Sequence, residues 1–223
     1  MSKTRRAFIK SAGALGALAA TQGLNVASAS SKKPTGNDCA ATIPKELHCV
    51  VTGRDKSGKS IIVSDAPAKA ITVAMLPGRE FYRLWGSDAM VTLPSDGTPP
   101  QQPRFFPPKN GFRFGMFTLP PATSTNAAQQ PPTPAELQDM EQKLPGVLDV
   151  VEADHPGMHT TDTVDFDVVV FGEVVLELDD GAEVALKAGD CVIQNGTRHA
   201  WHNRSSEKCV IAFSLVGADR TRP

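Results

Sequence analysis

Between residues 164 and 216 the apolar positions follow the two-residue period of β-strands, and no helical period appears. Residues 164–171 form an apolar run interrupted by Asp165 and Asp167. Val174, Leu176 and Leu178 then alternate with Val175 and Glu177, and after Asp179-Asp180-Gly181 the pair Val184 and Leu186 alternates with Glu183, Ala185 and Lys187. This predicts a hairpin with one buried and one wet face, with Val174, Leu176, Val184 and Leu186 in the interior. Gly189-Asp190 marks the next turn, and residues 191–194, 200–203 and 209–216 supply three more strands. Earlier in the chain, residues 46–53, 60–64, 70–74, 80–85 and 112–119 read as strands, the first two joined by a turn at residues 55–58.

Two proline-rich arms interrupt this series. Residues 94–108 hold six prolines and residues 120–134 five, which forbids a central strand in either and makes both surface loops. One helix has clear start signals. Thr133 caps it, Pro134 takes the first helical position, and Glu136 completes a capping box. Leu137, Met140 and Leu144 share one face, and Pro145-Gly146 ends it. Many short strands, one short helix and no fixed repeat define an all-β sandwich or barrel.

The first 29 residues read as an address rather than a fold. Arg5-Arg6 precede Phe8, Ile9 and Lys10, as in a twin-arginine export motif, and residues 11–31 carry no charge. That stretch is rich in Ala and Gly and only weakly apolar, unlike a membrane span. Ala27-Ser28-Ala29 matches a signal-peptidase site, which predicts cleavage after Ala29 and a periplasmic or secreted product without a membrane span. Residues 30–44 are rich in Ser, Lys, Pro and Gly and predict a flexible lead-in to a single domain over residues 45–217.

Cys39, Cys49, Cys191 and Cys209 all lie beyond the cleavage point, so one or two disulfides or none suit the chain equally. No CxxC pair supports a cysteine zinc site. Of 223 residues, 23 are basic and 24 acidic. Without a basic surplus the chain lacks the means to neutralise a nucleic-acid backbone. Gly-x-Ser-x-Gly and phosphate-cradling glycine loops are also missing, which argues against a serine hydrolase or a nucleotide-binding loop.

Histidine placement carries the chemistry. His155 and His159 precede the strand at 164–171, while His199 and His202 lie between two late strands. A histidine grouped with carboxylates serves as a metal ligand or a proton carrier. Gly189, Gly196-Thr197-Arg198-His199 and Asn203 resemble the second motif of the cupin superfamily, with one residue fewer between the glycines and Gln194 where proline is usual. Counting back from Gly172 puts Asp165 at the Glu position of the first motif, His159 at its first His and Thr161 at its second. The string from Met158 to Phe166 is similar to that of small single-domain cupins, and the resemblance spans about residues 45–217, with its core motifs in 150–217.

The resemblance implies a cupin jelly-roll barrel with extra N-terminal strands. It also implies one divalent metal (Fe, Mn or Zn) held by His159, Asp165 and His199, with Asp165 and His199 as catalytic groups. Six residues of straight strand would hold His159 and Asp165 ~20 Å apart, so a shared ion requires a turn at residues 160–163. His202 alternates away from the site. Asp162, Asp167 and His155 are further candidates, and Phe166, Phe171 and Trp201 are expected in the core or pocket wall. Small cupins of this kind pair through sheet edges or swapped N-terminal strands, which implies a homodimer. The function implied is a metal-dependent enzyme on a small organic molecule, of dioxygenase type or an isomerase or lyase. A non-catalytic small-molecule carrier is the alternative.

Overall fold

The computed structural model describes residues 47–122 and 131–221. The export signal, its cleavage point, Cys39 and the segment 30–44 lie outside them. The described residues belong to one compact unit, Ala41–Pro223.

Ten strands form in chain order: β1 Leu47–Arg54, β2 Ser60–Ala68, β3 Phe81–Ser87, β4 Phe112–Leu119, β5 Thr163–Phe171, β6 Glu173–Glu177, β7 Glu183–Lys187, β8 Cys191–Asn195, β9 Ala200–His202 and β10 Cys209–Gly217. Helix α1 spans Pro134–Lys143. Its Thr133 side chain accepts from the Glu136 amide while the Glu136 side chain accepts from the Thr133 amide, as the sequence predicts.

All strand pairs are antiparallel. One sheet has the order β3-β4-β10-β5-β8, a second β7-β6-β9, and β1 with β2 makes a separate ribbon. Consecutive strands β5 and β6 lie in different sheets, and each pairs with the strand three further on, β8 and β9. A chain doubled back and wound in this way is a jelly roll, the all-β architecture that the cupin resemblance implies. Gly172 makes the step from β5 to β6. Its φ is +75°, and a Cβ there would stand 2.5 Å from the Lys208 carbonyl, so no other residue fits without movement.

The two sheets pack face to face. Val169, Cys209 and Ile211 of the larger sheet meet Val174, Leu176 and Trp201 of the smaller. At the far end of the larger sheet Phe81, Phe213 and Leu215 pack on Met140 and Leu144, so the helix closes that end.

Three sequence expectations change. Residues 70–74 are not a strand; only Ile71 bridges to Phe81. Val184 is 47% exposed, because β7 is the edge of its sheet, whereas Val174 and Leu176 are buried as expected. Phe166 faces solvent rather than the core, since it alternates with the inward Asp165 and Asp167.

Candidate functional site

Strand β5 presents Thr163, Asp165, Asp167 and Val169 inward and Val164, Phe166, Val168 and Val170 outward. The period that makes it a strand therefore forces two carboxyls into the interior. Asp165 is 5% exposed and Asp167 6%. Burial pushes Asp165 up to about 6, with a hydrogen bond from Thr163 opposing. Burial also pushes Asp167 up to about 8, and the neighbouring Asp165 charge adds to it. Two buried carboxyls that discourage each other's ionisation hold one proton between them near pH 7.

Gln194 on β8 stands opposite Asp165 in register and is buried. Its Oε1 accepts from the Thr197 hydroxyl at 2.7 Å. Its Nε2 and the Asp165 Oδ1 are buried without partners. A donor and an acceptor left open on the same inner face are groups that a bound molecule or water must satisfy.

The two histidines come together through the backbone. His159 and His199 exchange amide-to-carbonyl hydrogen bonds of 3.0 Å in both directions. Their rings lie 4.2 Å apart at 50°. Each Nδ1 donates to a main-chain carbonyl, that of Gly157 at 3.0 Å and that of Thr197 at 2.9 Å. A carbonyl only accepts, so the proton stays on Nδ1 and both Nε2 atoms are open acceptors. Burial and the neighbouring His159 push His199 down to about 4, and burial lowers His159 as well. Both rings are neutral at pH 7. Trp201 meets His199 edge to face at 5.9 Å, the pocket-wall role expected of it.

Arg198 fixes the strand that carries His199. It donates to both carboxylate oxygens of Glu152 at 2.7 Å and to Asp179 at 3.0 Å, tying three chain segments together. Arg79 differs. It has no acidic partner among the described residues, burial lowers its pKa, and its charge is felt at His159.

The residues fit a metal only in part. The open Nε2 atoms of His159 and His199 suit one. Among the described residues, however, no three His, Cys, Asp or Glu side chains come close enough to hold a single ion. Thr161, at the second His position of the motif, bonds the Thr163 hydroxyl at 2.7 Å instead. The structure thus pairs two of the three expected ligands and does not add Asp165 to them. A centre of three protein ligands does not fit this arrangement.

His202 donates to Glu177 at 2.6 Å, and His155 lies 3.7 Å from the same carboxylate, so these two belong to a separate polar cluster. Asp162 is bound to Arg220. Gln194 and the pairing of Asp165 with Asp167 are what sequence reasoning missed. The available signal was the glutamine standing where the motif has proline. A cleft of about 320 Å³ lies elsewhere, between Val175, Leu186, Lys187 and Arg204.

No family model matches the chain. It is 31% identical over 161 residues to phomopsin biosynthesis cluster protein C′ of Diaporthe leptostromiformis, covering 70% of this chain and 69% of that one. Phomopsin biosynthesis cluster protein D of the same fungus is 47% identical over 68 residues, 28% of this chain and 35% of that one. Among solved structures, the Cnp3 cupin domain of Schizosaccharomyces pombe superposes with a TM-score of 0.38 at 10% identity, covering 77% of this chain and 88% of that one.

Proposed function

Because the chain belongs to the same family as phomopsin biosynthesis cluster protein C′, we propose that it is a small-molecule enzyme of the isomerase or lyase type. It moves a proton on a substrate held inside the jelly roll. The observation that carries this reading is the Asp165–Asp167 pair, two buried carboxyls pushed up to about 6 and about 8 beside an open Asp165 Oδ1. Work on a small molecule suits relatives named for biosynthesis clusters.

Each group has a definite task. Asp165, ionised at pH 7, takes a proton from a carbon next to a carbonyl. Gln194 Nε2 donates to the carbonyl oxygen as charge builds there. The neutral His159 and His199 accept from a substrate hydroxyl through Nε2. Asp167 keeps its proton and supplies it to a leaving oxygen in a lyase reaction. In an isomerisation Asp165 returns its own proton to the adjacent carbon. Arg79, unpaired and felt at His159, meets a carboxylate on the substrate. An oxygenase-type reaction would call for three side-chain ligands on one ion, and the described residues do not assemble them, so no step is routed through a metal.

The test is deuterium exchange. Purified protein in D2O is incubated with small 2-oxo and 3-hydroxy carboxylic acids and followed by NMR. Deuterium should enter beside the carbonyl, and Asp165→Asn should slow this by ~10²-fold or more. Arg79→Gln should raise KM more than it lowers kcat. Saturable binding of one of these acids with no exchange, and with the same affinity in Asp165→Asn, would replace the enzyme by the non-catalytic carrier.

A further inference from the structure

The outer face of the five-stranded sheet is a second surface with a function of its own. Directly opposed residues on neighbouring strands share a face, so the register lays out rows across the sheet. One row runs Trp85, Phe114, Ser214, Phe166, Ile193. The next runs Tyr82, Met116, Ala212, Val168, Cys191. Neither row contains a charged residue or a histidine. Both face away from the core, since Phe114 is 46% exposed, Phe166 47%, Val168 39% and Ile193 53%. Val170 and Val216 are similarly exposed on the same face.

With ~200 Å² for a whole phenylalanine side chain and less for the aliphatic ones, these exposures leave on the order of 500 Å² of apolar surface. Monomeric proteins seldom show a larger contiguous patch. The half-buried Tyr82, Trp85, Phe112 and Met116 extend it toward the ~800 Å² per partner that a stable interface buries.

We propose that this face is the contact between two copies of the chain, packed sheet on sheet about a two-fold axis. The area matches what such a dimer needs. Charge selects the occupant. An isologous contact sets a patch against itself, and a charge-free patch does so without opposing like charges or burying an unpaired one. Sheets stacked ~10 Å apart let the side chains of the two rows interleave. The contact therefore runs through the sheet face rather than through a sheet edge.

The experiment is sedimentation equilibrium of the full chain between 1 and 100 µM. The unaltered protein should be a dimer. Phe166→Asp and Ile193→Lys, each at a position exposed in the single chain, should weaken association at least 100-fold while far-UV circular dichroism stays unchanged. Val50→Asp, on the separate β1–β2 ribbon, should remain dimeric. A monomer throughout for the unaltered protein would overturn the proposal and assign the face to residues 1–46 of the same chain or to another partner. Full-strength dimers of a folded Phe166→Asp would overturn it by placing the contact elsewhere.

Discussion

Asp167 carries a carboxyl that the fold holds protonated to about pH 8, whereas an unfolded chain ionises it near 3.8. Over that interval the folded state binds more protons, so stability falls as pH rises. Asp165 acts the same way up to about 6. His199 acts in the opposite sense. Its folded value of about 4 lies below the usual 6.5, so between those values stability rises with pH. Between pH 6.5 and 8 the carboxyl effect stands alone among the three. Scanning calorimetry should show the melting temperature dropping across that window. Asp167→Asn should flatten the drop and raise the melting temperature at pH 8 by roughly 4 °C or more, the response to one or two kcal/mol in a domain of this size. An unchanged slope would mean that Asp167 ionises freely. The same two carboxyls predict that exchange activity peaks between pH 6 and 8, where the pair holds one proton.

Helix α1 shows how an element can be legible residue by residue. Thr133, Pro134 and Glu136 fix its start through local hydrogen bonds, and those bonds are present. Its buried face is a different matter. Met140 and Leu144 are almost fully enclosed, while Leu137 is 36% exposed. The sequence gives all three the same phase; the rim of the sheet decides which are covered. Thr133→Ala should cost about 1 kcal/mol and lower the melting temperature by roughly 3 °C. It should leave deuterium exchange unchanged, because the helix packs on Phe81, Phe213 and Leu215 rather than on the Asp165 pair. Strand β4 falls on the predicted residues because its alternation is strict. Strand β7 alternates equally well, yet Val184 is exposed, since nothing faces that part of an edge strand.

At the scale of the whole molecule, export and metal content are the properties to measure. Changing Arg5 and Arg6 together to Lys should trap the precursor in the cytoplasm. Mature-sized protein outside the cell at normal yield would end the twin-arginine reading. Protein purified after export should keep its exchange activity in EDTA. A stoichiometric ion, lost together with activity in His199→Ala, would restore the three-ligand expectation and overturn the metal-free reaction.

The sequence by itself determined the strand periods, the turn at Gly172, the helix start and two histidine groups, because each depends on residues within a few positions of one another. It also put Asp165 and Asp167 on one side of one strand. Tertiary structure alone decided that this side is the interior, that Gln194 stands across from Asp165, and that His159 and His199 share a pair of backbone hydrogen bonds. Those facts depend on register between segments up to 40 residues apart, which no local pattern encodes. The protonation of the carboxyls follows from the same cause. Desolvation is set by whatever packs around a group, and the neighbours of Asp165 arrive from β8 and β10 only when the jelly roll closes.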